Sequence, residues 1–180
     1  IETSPGPAIV YSNYVLMEGL EILKIYLQLV GYGDYKTHGV VGRKYCEYHG
    51  QIDKEERVKA KAVFNQKENL TGDIIKVFLF SPSGAEGMNL HNVRQIHILE
   101  RYYHNVRTDQ VEGRGIRQCS HKDLPMPERY VYVFYYEAKK PEQRDEDDEI
   151  PVTSDEILRD GANAKENLNG SFLTAIKEAA

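Results

Sequence analysis

The sequence has few cysteines and no long apolar run. Its two cysteines, Cys46 and Cys119, are too few for a disulfide framework and fit a reducing compartment. No apolar stretch approaches the roughly 18 residues that a membrane-spanning helix needs, and no signal peptide is visible. Ile1 is not an initiator methionine. We therefore expect a piece of a larger intracellular protein that has no membrane partner.

Charge is distributed unevenly along the chain. The net charge is −5 over 180 residues, but residues 141–180 carry 11 acidic and 4 basic side chains, and residues 1–140 carry 17 and 19. The body is thus mildly basic and the tail acidic. A balance of this size permits nucleic-acid binding but does not by itself indicate it.

Apolar periodicity alternates between that of strands and that of helices. The pattern predicts strands at residues 8–12, 45–49, 74–80, 95–99 and 130–136, and helices at residues 14–30 and 53–65 and around residues 110–117. The order β-α-β-α-β-β-α-β predicts an α/β fold, with a mostly parallel central sheet flanked by helices. Residues 33–43 are expected to form a loop. The alternating aromatic residues of the last strand could stack on bases, but such residues are more often part of the core, and we expect them to lie there.

Capping residues set the expected starts of these helices. Asn13 is a candidate cap for the first helix, and Thr108 for the third. Asp53, with Glu56 three residues later, is predicted to form a capping box.

The C-terminal part differs in composition from the rest. Residues 138–150 are polar, charged and interrupted by proline, which is typical of a linker. Residues 151–180 are predicted to be a helical tail that starts at Thr153–Glu156, is interrupted at Gly161 and continues from residue 164.

One octapeptide, residues 110–117, concentrates polar chemistry. On a helix, Gln110, Arg114 and Arg117 would leave one face, and an amide with two guanidiniums suits an anion that has many oxygens. Gly113 is expected to leave room beside Arg114, and Gly115 to loosen the turn. The alternative is a basic helix face that makes salt bridges.

Three segments that follow predicted strands are candidate phosphate-binding sites. Backbone N–H groups of the glycine-containing loop 81–90, with the Ser81 or Ser83 hydroxyl, can form an anion nest, although the loop could also be a tight turn that needs glycine. His49–Gly50 precedes a helix start that can bind phosphate or be ordinary capping. Ser12 and Asn13 follow the first strand and are a weak signal alone. Ligands sit at the carboxyl ends of parallel strands, an edge that residues 81–90 and 113–115 are both expected to reach.

Together these segments resemble the C-terminal RecA-like lobe of superfamily 2 helicases, close to the Swi/Snf-type branch. The matches come in the family order: Ile9–Asn13 resembles motif IV, His49-Gly50 through Glu56-Arg57 resembles the segment after it, Ser81 through Leu90 resembles motif V, and Gln110-x-x-Gly-Arg-x-x-Arg117 resembles motif VI. The resemblance covers residues 8–136. It implies that residues 1–7 link to an N-terminal lobe and that residues 8–137 form a RecA-like lobe of the P-loop NTPase type.

A narrower resemblance points to viruses. Residues 97–104, Gln118–His121 and the tail are similar to helicase-like NTPases of nucleocytoplasmic large DNA viruses. Poxvirus relatives in this group include nucleoside triphosphate phosphohydrolase I and the early transcription factor small subunit. The resemblance implies a role in viral transcription, a location in the virion and host cytoplasm, and RNA polymerase or other transcription machinery as partner.

The family resemblance also implies roles for individual residues. ATP and Mg²⁺ would be bound mainly by the N-terminal lobe, because this chain has no G-x-x-x-x-G-K-[ST] motif and cannot hydrolyse ATP unaided. Arg117 would be the arginine finger, Arg114 its partner, and Gln110 would orient the γ-phosphate or water. Glu86 and Gly87 would join the two arginines at ATP.

A second set of residues would contact the backbone of DNA or RNA. This set is Ser12, Asn13, His49, Gly50, Arg57, Ser81, Ser83 and Gly84.

Two other functions remain open. The lobe could belong to a cellular chromatin-remodelling motor, or it could be a catalytically idle lobe that serves as a protein-binding scaffold. Intact Gln110, Arg114 and Arg117 argue against the idle lobe. No metal site is expected, because His97, His104, Cys119 and His121 do not have a zinc-ligand spacing, and a polar surface or strand-edge role is expected for them.

Overall fold

Six short strands form one sheet in the computed structural model, which describes residues 1–37, 43–82, 88–139 and 152–179. The strands are β1 (Ala8–Tyr11), β2 (Gly33–Asp34), β3 (Lys44–Tyr48), β4 (Val77–Phe80), β5 (Gln95–Ile98) and β6 (Tyr132–Tyr135). The α-helices are α1 (Leu20–Leu29), α2 (Lys54–Phe64), α3 (Asn105–Gly115) and α4 (Ser154–Ala179), and short 3₁₀ turns lie at Lys67–Asn69 and Met126–Glu128.

The strand order is β2-β3-β4-β1-β5-β6, and every neighbouring pair is parallel. In the central strand, Ile9 pairs with Phe78 on one side and Ile96 on the other. The predicted α/β fold with a parallel sheet is confirmed. The sequence pattern missed β2, which has only two residues and lies where a loop was expected. It forms because Gly33 N donates to Arg43 O at 3.0 Å.

Side chains alternate between two faces of the sheet, as strand geometry requires. On one face, which we call the α2/α3 face, Phe78 and Ile96 are fully buried against α2 and α3. On the other, the α1 face, Val10 and Leu79 are fully buried against α1. Each such side chain stabilises the fold by about 1.5–3 kcal/mol relative to an exposed position.

The first helix starts later than predicted. It begins at Leu20 rather than near Tyr14, and Asn13 does not cap it, because the Asn13 side chain bonds Tyr11 instead. Leu20 and Leu27 are buried as expected, whereas Leu16, before the helix, is 52% exposed. The apolar spacing therefore predicted a helix start that is too close to the N-terminus.

Of the two other predicted helix caps, Asp53 is a cap in the structure and Thr108 is not. Asp53 caps α2 by accepting from Glu55 N at 2.8 Å, but Glu56 reaches Lys36 at 2.9 Å instead of closing the capping box. Thr108 was wrongly predicted as a cap. It lies inside α3, where its hydroxyl donates to the carbonyl of Asn105, one turn earlier.

The aromatic side chains of β6 are not in the core, contrary to expectation. Tyr132 is 55% exposed and Phe134 39% exposed. Register places both on the α1 face, beside Gln95 and His97 of β5. A helix is about 10 Å wide and strands lie about 4.8 Å apart, so one helix covers about two strands. In the described part of the chain, α1 packs over the central strands and no helix covers this end of the face.

The tail is one continuous helix. The start predicted at Thr153–Glu156 is confirmed, because Thr153 N donates to Glu156 Oε2 at 2.9 Å and Glu156 N to Thr153 Oγ1 at 3.3 Å. The predicted interruption at Gly161 is wrong, since α4 passes through it. The helix lies against the α/β body where Ala162 is buried and Lys165 Nζ bonds Tyr103 O at 3.2 Å. Most of the predicted linker 138–150 lies outside the described residues. None of the helices described is long and apolar enough to cross a membrane.

Candidate nucleotide and nucleic-acid site

The carboxyl ends of the parallel strands bring several predicted residues to one edge of the sheet. Ser12 follows β1, His49 follows β3 and Ser81 follows β4 directly. Asn13 and Gly50 come one residue later. This is the edge at which parallel α/β sheets bind ligands.

At this edge a carboxylate fixes the segment after β1. Glu100, two residues beyond β5, accepts from Ser12 Oγ through Oε1 and from Asn13 N through Oε2, both at 2.9 Å. Burial raises the pKa of Glu100, and the two hydrogen bonds oppose that rise. Because Ser12 is fully buried and its hydroxyl is engaged, this side chain holds the edge together, and Asn13 is the more exposed of the pair.

Asn13 also joins the edge to the start of α3. Its Oδ1 accepts from Tyr11 Oη at 2.9 Å and lies 3.5 Å from Arg107 Nη1. Burial raises the pKa of Tyr11 to about 12, so the phenol stays protonated as the donor. The guanidinium of Arg107 lies over the Tyr102 ring, 3.9 Å from its centroid. Glu100 and Tyr102 lie in the segment 97–104 that resembles the viral NTPases, but no role was predicted for them or for Arg107.

Side chains of β3 and α1 hold the segment after β3 in place. His49 is 3% exposed, and its Nε2 lies 3.2 Å from Glu47 Oε2, which Lys24 Nζ also contacts at 3.2 Å. Burial opposes ionisation of Glu47, but the bonds from His49 and Lys24 outweigh it and lower its pKa. Arg57, in the first turn of α2, lies near the Tyr48 ring, 5.8 Å from its centroid. Its buried Nε has no hydrogen-bond partner among the described residues.

The motif VI residues lie at the other end of α3. Gly115 packs where an added Cβ would meet Val93 Cγ1 at 3.2 Å and Ile9 Cδ1 at 3.3 Å. Residues 113–115 therefore lie beside the amino-terminal parts of β1 and β5, not at the carboxyl edge as expected. The reason is that α3 runs back along the sheet. Gly115 permits this close approach, rather than loosening a turn.

Arg117 is not on the helix face predicted for it. The helix ends at Gly115, so Gln110 and Arg114 are helical and Arg117 lies beyond the last turn. Its side chain nevertheless folds back, since Arg117 Nε donates to Gly113 O at 2.9 Å. Gln110 is exposed, and the buried Nε of Arg114 has no hydrogen-bond partner in the part of the chain described.

Motifs V and VI meet at Arg117. Its Nη1 contacts Asn89 Oδ1, and Leu90 N donates to Arg114 O at 3.0 Å. The four residues Ser83, Gly84, Glu86 and Gly87 lie outside the described residues. Asn89 lies within the segment that resembles motif V, and no role was predicted for it.

A small cavity opens beside Arg117. It has a volume of about 190 Å³, and Asn89, His91, Arg117 and Lys122 are among its lining residues. Whole small-molecule sites usually measure about 300–1,000 Å³. The cavity is therefore large enough for part of a ligand, and its two cationic side chains favour an anionic part.

The histidines do not form a metal site where the structure describes them. No three His, Cys, Asp or Glu side chains come together there. His121 Nδ1 lies 2.8 Å from Ser120 Oγ, and its Nε2 lies 2.7 Å from Val93 O. His97 is buried rather than on the surface, and burial lowers its pKa to about 4.

Comparison with known proteins identifies the family. The model of the helicase conserved C-terminal domain matches residues 2–119. The chain belongs to this family. A protein of Acanthamoeba polyphaga mimivirus named as an ATP-dependent RNA helicase is 49% identical over 98% of this chain and 22% of its own length. The termination factor NPH-I homolog of African swine fever virus is 31% identical over the whole chain and 31% of its own length.

The fold has a solved counterpart. The crystal structure of the C-terminal part of the Fun30 ATPase domain matches with a TM-score of 0.53 and 17% identity, over 72% of this chain and 34% of that one. The predicted RecA-like fold and the similarity to viral helicases are thus confirmed. The chain spans about a fifth to a third of the length of the two viral relatives.

Proposed function

We propose that this chain is the second motor lobe of an ATP-dependent helicase or translocase, in which Arg117 acts as the arginine finger. The observation that carries the proposal is the contact of Arg117 with Asn89 beside a cationic cavity. Arg117 is exposed, so its guanidinium can reach a ligand shared with another lobe. The contact also joins motif VI to motif V.

In this proposal the nucleotide lies between two lobes. The other lobe would bind ATP and Mg²⁺, since this chain has no G-x-x-x-x-G-K-[ST] motif. Arg117, with Arg114 as partner, would neutralise charge that develops on the γ-phosphate, and Gln110 would orient the phosphate or water. An arginine finger increases the rate about 10³–10⁵-fold in the GTPases where it was measured. Glu86 and Gly87 would complete the contacts, and the isolated lobe would be inactive.

The carboxyl edge would contact nucleic acid. Asn13, Gly50 and Arg57, with Ser83 and Gly84, would contact the sugar–phosphate backbone. The side chains of Ser12, His49 and Ser81 are buried and would hold the edge in shape. Contacts of this kind give affinity without reading sequence. ATP would close the two lobes and hydrolysis would reopen them, which would move the protein along a strand.

The biological setting is also part of the proposal. The African swine fever virus relative is named a termination factor homolog, which supports a function in viral transcription with RNA polymerase as partner, in the virion and host cytoplasm.

ATPase kinetics of the full-length protein test this function. We expect DNA or RNA to stimulate wild type, and Arg117→Ala to lower kcat at least 10³-fold while ATP binding persists. Arg117→Lys, which keeps the charge but loses the planar fork, is the matched variant and should recover little activity. Lys177→Ala, in the exposed tail, should behave as wild type. No stimulation by any nucleic acid would favour the idle scaffold, and normal turnover by Arg117→Ala would remove its assignment as the finger.

A further inference from the structure

Arg107 is a cation that has no role in the proposed function. It is the third residue of α3 and lies at the carboxyl edge beside Asn13, with Nη1 3.5 Å from Asn13 Oδ1. Within the described residues, no carboxylate lies close enough to form a salt bridge with it. An arginine without a counter-ion keeps a full positive charge that is available to bind an anion.

The position of the guanidinium is fixed. It stacks over the Tyr102 ring at 3.9 Å from the centroid, and Asn13 Oδ1 lies at its edge. Arginine has five donors in one plane, so a single contact to Asn13 leaves most of them available. Stacking on Tyr102 reduces the side-chain entropy that binding would otherwise cost.

Asn13 adds a second donor. Arginine can only donate, so the oxygen of the Asn13 amide faces Arg107, and Tyr11 Oη donates to the same oxygen at 2.9 Å. The amide nitrogen Nδ2 then points away and has no hydrogen-bond partner among the described residues. The neighbouring carboxylate, Glu100, is turned inwards, because both of its oxygens accept from Ser12 and Asn13.

The start of α3 supports the same ligand. His104 precedes the helix without making a side-chain capping bond, and the first turn contains no acidic residue. N–H groups at a helix start favour anions. Besides Glu100, the acidic side chains around this helix start include Asp109, four residues after Asn105 on α3, and Glu166, which contacts Asn105 from α4.

We propose that Arg107 and Asn13 together bind one phosphate of a nucleic-acid backbone, with Tyr102 as the residue that positions the arginine. The inference rests on the proposed nucleic-acid binding and adds to it Arg107, a residue outside motifs IV, V and VI. The site is separate from the cavity beside Arg117. Arg107 and Arg114, the partner of Arg117 in the proposed function, are seven residues apart, or about 10 Å along the helix. The group recognised is a phosphodiester of single-stranded DNA or RNA.

The salt dependence of binding tests this inference. Fluorescence anisotropy with labelled oligo(dT) and oligo(U) gives the affinity of the full-length protein at several salt concentrations. A plot of log K against log salt concentration has a negative slope. Loss of one phosphate contact should reduce the magnitude of this slope by about 0.7 for a single strand. We expect Arg107→Gln to show this change and about tenfold weaker binding at 0.1 M salt. Lys177→Gln, which removes the same charge from the tail, should keep the wild-type slope.

Two further variants separate binding from folding. Arg107→Lys keeps the charge, so it should recover most of the slope. Asn13→Asp should weaken binding with an unchanged melting temperature. An unchanged slope in Arg107→Gln, while wild type binds normally, overturns this inference and leaves the motor function standing. If wild type binds neither oligonucleotide, the proposed function fails together with the inference.

Discussion

Ser12 and Glu100 are 88 residues apart in the sequence and joined by a hydrogen bond of 2.9 Å. The bond links the ends of the adjacent strands β1 and β5. The same carboxylate holds the backbone of Asn13, also at 2.9 Å. The segment after β1 therefore has its shape imposed by the segment after β5.

Removal of this carboxylate should loosen the edge. Glu100→Ala leaves the Asn13 N–H without its acceptor and the buried Ser12 hydroxyl with only the carbonyl of Tyr14, 2.8 Å away. We expect a loss of about 1–3 kcal/mol in the free energy of unfolding. Nucleic-acid affinity should fall as well, because Asn13 would no longer be fixed. Urea denaturation and anisotropy measure the two effects. Glu100→Gln keeps one acceptor oxygen and should lose less, and Glu18→Ala, at an exposed position, should change neither. Equal behaviour of the alanine and glutamine variants would argue against the hydrogen bonds as the cause.

Asn89 should matter for turnover through Arg117. Because Asn89 Oδ1 accepts from the Arg117 guanidinium, we expect Asn89→Ala to lower kcat about 10-fold to 100-fold with little change in ATP affinity. The double variant with Arg117→Ala should be no slower than Arg117→Ala alone, since both changes act on one side chain. Additive losses in steady-state ATPase assays would show that Asn89 acts independently.

His97 should make stability depend on pH. Burial, with a smaller effect from the chain's amino terminus, lowers its pKa from 6.5 to about 4. As pH falls, His97 is therefore protonated in the unfolded chain before it is protonated in the folded chain. The stability that neutral His97 provides is complete above about pH 6.5 and is lost as pH falls towards 4. The loss would approach about 3 kcal/mol at the lower end.

The matched variant for this prediction is His97→Phe. His97 already stacks on Phe134, with ring centroids 4.9 Å apart and planes within 9°. The variant has no titrating group there, so the difference in urea midpoint between it and wild type should change between pH 7 and pH 4.5. A constant difference would show that His97 titrates normally.

The two faces of the sheet should tolerate aromatic truncation differently. Phe78 is fully buried and its ring centroid lies 5.0 Å from that of Phe64. We expect Phe78→Ala to cost about 3–5 kcal/mol in the free energy of unfolding. Phe134→Ala, on the partly exposed edge strand, should cost about 1 kcal/mol. Chemical denaturation of the chain compares the two, and a similar cost would mean that the β6 aromatics are covered in solution.

Local patterns predicted most elements because their signals lie within a few residues. The sequence predicted the buried strand β4 and the capping aspartate before α2 correctly, because apolar spacing and side-chain capping are short-range effects. The boundaries were less accurate. Asn13 and Thr108 both have cap-forming side chains, but each found a different partner, in Tyr11 and Asn105.

The candidate site was predicted only in part. Motif spacing found Arg114 and Arg117, yet the helix ends before Arg117 and only its returning side chain keeps it near Gly113. The roles of Glu100 and Arg107 were missed because each contacts the segment after β1, which is distant in sequence. A charged residue directly after a buried strand was the one available signal for Glu100.

By itself the sequence determined the α/β class, the order of the elements, most of the parallel sheet and the helicase-like motifs, because these depend on periodicity and on residues close together in the chain. The tertiary structure decided that residues 113–115 lie away from the carboxyl edge and that the β6 aromatics are exposed. These features depend on the direction of α3 and on how far α1 extends over the sheet. Direction and coverage are set by the packing of whole elements, which no short stretch of sequence encodes.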